Sequence, residues 1–364
     1  GFYSTKSLYK TAFFQSYADF ISPYFLAISA KSKKVLVFDC DNTLWKGIVG
    51  EDGYENIALS PKDKGGIYFR DVHLIAKKLL QQGVVFCLCS KNNFKDVEEA
   101  FSKRSNDFVL NFDDFVIKKI NWNDKSSNIK EIAKELNVGE DSIIFVDDSL
   151  FEINLVNEII PEVTTFQVPK YSFEYPFQFS KLKELFFSLS LTNEDAQKSK
   201  MYIQNQIREN EKNIFSNIDD YLDSLNIQLE ISINSIRNLE RVTQLINKTN
   251  QFNLTTKRYL IGQVEKFYLS EEFDVVDLSV SDKFGDSGLT GVAIIKKRDS
   301  IAEIDTLLLS CRILGRQIEN AFINEIVKYL FDEGVIEIKG SYKKTLKNVQ
   351  VELFFEENGF YLVN

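Results

Sequence analysis

Several common chemistries lack the side chains they would need in this 364-residue sequence. There is one histidine, His73, so neither a histidine-based hydrolase triad nor a histidine-rich zinc centre is expected. It lies in the amphipathic stretch DVHLIAKKLL, which predicts a surface or half-buried helix residue rather than a catalyst. The four cysteines, at 40, 87, 89 and 311, show neither a disulfide framework nor zinc-ligand spacing, which suits a reducing, cytoplasmic setting. Positive charge is in deficit: 44 Lys and Arg against 53 Asp and Glu leave a net charge of −9. That balance argues against nucleic acid as a bulk electrostatic partner. It also gives an acidic partner protein no general attraction, so any such docking needs a local basic patch. No apolar run is long enough to span a membrane, and the N-terminus lacks the profile of a signal peptide. The opening Gly1, without a preceding Met, predicts a fragment or a processed chain.

What is present predicts packed interiors. Hydrophobic residues make up 44% of the chain, aromatic residues 13% and charged residues 27%, and the length favours two domains. The most informative run is VLVFDCDNTLW, where the apolar strand Val35 to Phe38 stops at two carboxylates, Asp39 and Asp41, followed by Thr43. Ligands of open α/β sheets bind beyond the carboxyl ends of such strands. Two acids there repel each other, so a divalent metal, a lysine or both should hold them. A second strand-like run, Val84 to Cys89, stops at Ser90-Lys91-Asn92-Asn93, and a third, Ser142 to Val146, stops at Asp147-Asp148-Ser149. Between them Lys125 stands at the start of a predicted helix carrying Ile129, Ile132, Ala133 and Leu136 at helical spacing.

The order and spacing of these four signals resemble the haloacid dehalogenase (HAD) superfamily of aspartate-nucleophile phosphotransferases. The resemblance implies a HAD-like, Rossmannoid, doubly wound parallel sheet. It implies Mg²⁺ held by Asp39, the Asp41 carbonyl and Asp147 or Asp148, with Asp148 favoured as the direct ligand. Asp39 would attack phosphorus, Asp41 would serve as general acid and base, and Lys125 would bridge nucleophile and phosphate. Thr43, Ser90, Asn92 and nearby backbone N–H groups would meet phosphate oxygens. Only about fifty residues separate Asp39 from Ser90 and about thirty-five separate Ser90 from Lys125, which leaves no room for a large cap.

The second half has another pattern. IQLEISIN reads as a strand and IRNLERVTQLINKTNQFN as a helix leading to a polar loop. Strands at Val292 to Ile295 and Ile304 to Leu309 come next, and the turn Arg312-Ile-Leu-Gly-Arg316 leads into a helix, IENAFINEIVKYLFDEG, that ends at Gly334. A further strand is predicted at Val335 to Ile338. This order resembles the GCN5-related N-acetyltransferase (GNAT) fold, an α+β domain in which the turn meets the pyrophosphate of coenzyme A. Arg312, Gly315 and Arg316 are the matching pantetheine- or coenzyme-binding candidates, although Gln317 replaces the usual small residue and tells against ordinary coenzyme A binding. The expected organisation is an N-terminal helical segment over 1–30, the HAD-like domain over 31–190, a helical connector over 191–222 opened by a capping box at Thr192 and Asp195, and the GNAT-like domain over 223–364.

DNTLWKGIVGEDG, CSKNN, INWNDKSSNI, FVDDSLFE, KTNQFNLTTKRY, DKFGDSGLTGV and SCRILGRQIE together are similar to FkbH-like proteins. That resemblance implies an enzyme that dephosphorylates 1,3-bisphosphoglycerate and loads the glyceryl group onto an acyl carrier protein thiol. One alternative is a phosphatase coupled to an acyltransferase-like domain with another phosphorylated substrate, in surface-polysaccharide or secondary-metabolite biosynthesis. Another is a carrier-binding module with weak phosphatase activity. Taken by itself, Cys89 reads as a small buried hydrophobe sharing a strand face with Cys87. The resemblance adds an acyl-carrying role, because Cys89 directly precedes Ser90. Trp45 and Trp122 flank the motifs and are read as pocket lining or packing.

Overall fold

The computed structural model describes residues 9–189, 198–212 and 214–362; the capping box expected at Thr192 and Asp195 lies outside them. The chain divides into two compact units, Gly1–Ala133 with Glu140–Leu191, and Lys134–Gly139 with Thr192–Asn364. Among the described residues no helix is long and apolar enough to cross a membrane.

The first unit is built on five parallel strands: β1 (Val35–Phe38), β2 (Val85–Ser90), β3 (Phe115–Ile120), β4 (Ile143–Asp147) and β5 (Thr164–Gln167). Their order is β3-β2-β1-β4-β5, so the chain winds outward from β1 to one side and then returns to build the other. The switch point falls between β1 and β4, where the doubly wound topology leaves a crevice beyond the strand ends. β1, β2 and β4 are buried along their whole lengths, which explains their unbroken apolar runs. Phe38, Phe86 and Phe115 meet across adjacent strands with ring centroids 5.5 to 6.2 Å apart, and Phe179 joins Phe38 at 5.9 Å. Phe179 belongs to the aromatic stretch 171–187, of which Tyr175, Leu182 and Phe186 are also buried while Tyr171, Phe173 and Phe177 stay exposed.

Helix α1 (Thr11–Ile28) carries the N-terminal aromatic residues, of which Tyr24 meets Phe187 of the first unit with ring centroids 4.7 Å apart. Only Pro23 and Ala27 are buried, whereas Phe13, Phe14, Tyr17, Phe20, Tyr24 and Phe25 are exposed and pack partly on each other. Helix α2 (Gly66–Gln81) carries His73, which is fully buried rather than superficial. Its Nε2 lies 2.9 Å from the Leu44 carbonyl oxygen, and burial lowers its pKa to about 4. Between Asp39 and Ser90 the chain forms a loop, a short helix at Val49–Asp52 and α2, with no inserted cap.

The second unit contains a six-stranded mixed sheet. β6 (Gln228–Ile233), β8 (Phe273–Asp282), β9 (Gly285–Arg298) and β10 (Ile301–Leu309) pair antiparallel in the order β10-β9-β8-β6. β11 (Glu337–Gly340) joins β10 in parallel, and the two-residue β7 (Phe252–Asn253) also pairs with β10. β8 escaped the sequence reading although it lies inside the sheet. The helix expected over IENAFINEIVKYLFDEG forms at Ile318–Asp332, and the turn before it is set by Gln317, left-handed with φ 57°, and Gly315 at φ 76°. The described part of the 191–222 segment forms helices at Lys198–Lys212 and Ile218–Ser224.

Candidate active site

The acids gather where the topology directs them. Asp39 follows the last residue of β1, its N–H donating to the Val146 carbonyl at 2.9 Å and so extending the β1–β4 ladder by one bond. Asp147 ends β4 and Asp148 follows it. One carboxylate oxygen from each of Asp39, Asp147 and Asp148 lies within 4.8 Å of the others. Lys125 opens helix α3 (Lys125–Glu135) and is delivered there by Asp124, whose carboxylate accepts the Ser127 N–H at 3.0 Å. Its Nζ donates to Asp39 Oδ1 at 2.9 Å and to Asp147 Oδ2 at 2.6 Å, with all three side chains buried.

One ammonium facing this many carboxylates leaves an excess of negative charge. Burial and the neighbouring Asp39 push the Asp147 carboxyl above its ordinary range, and the same two causes act on Asp148. Burial disfavours the charge on Lys125, yet Asp39 and Asp147 outweigh it and hold the ammonium firmly protonated. Asp147 is also fastened through Oδ1, which accepts the Ser149 N–H at 2.8 Å. The unmet charge and the hard oxygen donors fit Mg²⁺, which takes carboxylates together with water and phosphate oxygens.

Asp41 is held by three donors. Trp45 Nε1 and the Val49 N–H donate to Oδ1 at 2.9 and 3.0 Å, and Asn92 Nδ2 donates to Oδ2 at 2.9 Å. Burial raises the Asp41 pKa, Asp39 acts in the same direction, and these hydrogen bonds oppose them. Asn92 Nδ2 also reaches Ser90 Oγ at 3.1 Å, which ties the end of β2 to the acid of β1. Thr43 is fully buried, and its Oγ1 has no hydrogen-bond partner among the described residues. Thus Asp39, Asp41, Ser90, Asn92, Lys125, Asp147 and Asp148, scattered over a hundred residues, share one end of one sheet.

Cys89 lies near this group, within electrostatic reach of Lys125, Asp39 and Asp147, but is closed off from solvent. It is fully buried, its Sγ lies 3.7 Å from the Lys125 carbonyl oxygen, and burial drives its pKa far up despite the nearby ammonium. As placed, the thiol is neither open to a bulky acyl donor nor ionised, which weighs against the acyl-carrying role. The two tryptophans differ: Trp45 is wholly buried, whereas Trp122 is 68% exposed with its Nε1 on Asn93 Oδ1 at 3.1 Å. A further pair unseen in the sequence is Lys91 with the buried Glu152, at 2.7 Å.

The coenzyme-binding candidates belong to the second unit and point inward. Arg312 donates to Ser310 Oγ at 3.1 Å and touches Met201 Sδ, and Arg316 donates to Asp282 at 3.0 Å and to the Arg312 carbonyl at 2.6 Å. Asp282 also receives a two-pronged contact from Arg208, with both distances 2.7 Å. Burial opposes the charge on Asp282, but Arg208 and Arg316 hold its carboxyl below the usual range.

No family model matches the chain, and no curated protein matches it either. Among solved structures, the chain is similar to the N-terminal part of a Bacteroides fragilis protein containing a phosphatase domain, complexed with Mg, at 38% identity over 46% of this chain and with a TM-score of 0.44. The match takes in 44% of that protein, so the chain spans less than half the length of the phosphatase-domain structure it resembles. A ribosomal-protein-alanine N-acetyltransferase from Brucella melitensis is 11% identical over 37% of this chain and 98% of its own length, with a TM-score of 0.29. A possible acetyltransferase from Clostridium difficile is 14% identical over 37% and 92% respectively, with a TM-score of 0.30.

Proposed function

We propose that the first unit is a Mg²⁺-dependent phosphatase or phosphotransferase that works through an aspartyl-phosphate on Asp39. The observation that carries this reading is the buried Lys125 ammonium bridging Asp39 and Asp147, with Asp148 close enough to complete a metal site. Asp39, Asp147 and Asp148 would hold Mg²⁺, which when bound supplies the charge that lets a carboxylate approach an anionic phosphoryl group. Since both Asp147 oxygens are already engaged, Asp148 is the carboxylate best able to turn toward the ion. Lys125 keeps Asp39 oriented, and Ser90 and the unpartnered Thr43 hydroxyl offer donors for phosphate oxygens. Asp41 protonates the leaving oxygen, then takes the proton of the hydrolytic water. Asp39→Asn, nearly the same shape without the nucleophile, should lower phosphate release at least about a thousandfold while the fold persists. Wild-type turnover in that variant would end the aspartyl-phosphate reading. EDTA should stop the reaction and Mg²⁺ restore it.

For the substrate, the similarity to FkbH-like proteins along both halves supports 1,3-bisphosphoglycerate, with the glyceryl group passed to an acyl carrier protein. The burial of Cys89 favours direct attack by the carrier's own pantetheine thiol on the acyl carbon, with Asp39 removing the ester phosphate. Mixing the protein with Mg²⁺, 1,3-bisphosphoglycerate generated in situ and a holo carrier protein should add one glyceryl mass to the carrier, and Cys89→Ala should load it equally well. Phosphate release without carrier loading would leave a phosphatase coupled to an acyltransferase-like module with another substrate. The assembled Asp39, Asp41 and Lys125 set weighs against a mere carrier-binding module.

A further inference from the structure

Trp45 takes no part in the chemistry above, yet it is wholly buried with its indole N–H 2.9 Å from Asp41 Oδ1. Trp45 comes four positions after Asp41, and no helix joins them. The loop turns back because Asn42 is left-handed, at φ 53°, and Gly47 has φ 109°, a value suited to glycine. These two residues close the loop on each other: Gly47 N–H donates to Asn42 Oδ1 at 3.0 Å and Asn42 N–H to the Gly47 carbonyl at 3.3 Å. A bridge pairing Lys46 with Ala58 fixes the far side, and Phe101 and Phe108 meet the indole edge-on at 5.9 Å each. The ring is therefore clamped before it touches Asp41.

The donors on Asp41 are shared unequally. Oδ1 accepts from both Trp45 and Val49, which uses its two in-plane lone pairs, whereas Oδ2 accepts only from Asn92. The geometry points to Trp45 as a positioning residue for Asp41: together with Val49 it occupies Oδ1, and it turns Oδ2 into the oxygen that exchanges the proton with the substrate. This rests on the reading of Asp39 and Asp41 as nucleophile and acid–base. In that step an Asp39 oxygen forms a bond to phosphorus while the bond from phosphorus to the ester oxygen breaks. The ester oxygen takes the proton from Asp41 Oδ2, leaving an alcohol and the Asp41 carboxylate.

An acid held in place matters most when the leaving oxygen is strongly basic. Trp45→Phe keeps the aromatic packing and removes the N–H. With a simple alkyl phosphate its kcat should fall at least about tenfold, with KM little changed. With 4-nitrophenyl phosphate, whose leaving group needs little protonation, the fall should stay below about threefold. Equal losses on the two esters, or no loss on either, would overturn the assignment. Should Trp45→Phe fail to fold, benzothienylalanine at position 45 keeps the two-ring shape, replaces N–H by sulfur, and must meet the same criterion. Turnover of neither ester by the wild-type protein would defeat the proposed function, and the positioning contact would then be judged separately. The chain has two tryptophans, so ¹⁵N-tryptophan labelling gives two indole peaks. Asp41→Ala should move the Trp45 peak and leave that of Trp122 in place; an unmoved Trp45 peak would overturn the contact.

Discussion

Each unit buries a carboxylate–cation cluster, and the two clusters are balanced in opposite senses. In the second unit two guanidiniums, Arg208 and Arg316, close on the single Asp282. In the first, a single ammonium, Lys125, faces Asp39 and Asp147, with Asp148 within reach of both. The acids respond accordingly: burial opposes the charge on both, but Asp282 is held below its ordinary range and Asp147 is driven above it. In the second unit the one acid is fully answered by the chain's own cations, and that cluster serves structure. A cluster with a surplus of anions is unfinished, and what completes it must come from outside. Arg316 of the turn Arg312–Arg316 is therefore already engaged with Asp282 and with the turn's own backbone, while the acids at the switch point remain available.

The largest effect expected from breaking this contrast is at Asp282. Asp282→Asn strands two buried guanidiniums and should destabilise the second unit by about 3–5 kcal/mol, read by urea unfolding. Added Mg²⁺ should not repair it. A loss below about 1 kcal/mol would mean that the two arginines find water or other partners, and the contrast would collapse.

The first cluster should behave in the reverse way. Mg²⁺ at a hundred times its Kd should stabilise the wild-type protein by about 2.7 kcal/mol through binding only the folded form. Asp148→Asn should abolish most of that gain while costing little stability in EDTA, since it relieves repulsion. Equal Mg²⁺ stabilisation in wild type and Asp148→Asn would remove Asp148 from the metal site.

His73 provides a buried titratable group apart from both clusters. Its folded pKa of about 4 lies below the unfolded value of 6.5, so the unfolded chain binds the proton more readily. Stability from this group is therefore complete above about pH 6.5 and is lost as the pH falls toward 4. Between pH 7 and pH 5 the loss should be about 2 kcal/mol, and it should disappear in His73→Gln. An identical slope in variant and wild type would place the acid sensitivity elsewhere.

Gln317 should give the smallest effect. At φ 57° it occupies a left-handed position that glycine adopts without strain, so Gln317→Gly should stabilise the second unit by about 0.5–1 kcal/mol. Destabilisation would mean that the glutamine side chain makes a contact worth more than the strain.

The strands that end at the candidate site were legible because a parallel strand buried on both faces must be apolar along its length, and the polar residues that end it stand out. Asp39, Ser90 and Asp147 are marked in this way, and Lys125 is marked by the helical spacing that follows it. β8 was not legible: its burial is interrupted toward its end, and Asp274 and Asp277 lie inside it, which breaks the apolar signal. The burial of His73 was hidden because its partner is the backbone carbonyl of Leu44, 29 residues away, and a backbone acceptor leaves no trace in side-chain pattern. What the sequence did not show before the helix at Ile318 is conformational, a non-glycine residue, Gln317, in the left-handed region.

By itself the sequence determined the kinds of groups at the candidate site and the order in which the strands present them. Strand length, apolar periodicity and the abrupt change to acids are local properties, and local physics suffices to read them. Only the tertiary structure decided which of those groups share a space and which charges are already answered. It joined Trp45 to Asp41, turned Arg312 and Arg316 inward, and buried Cys89 against the Lys125 carbonyl. Each of these depends on a fold-determined direction, since a side chain's charge is written in the sequence but its partner is chosen by the packing around it.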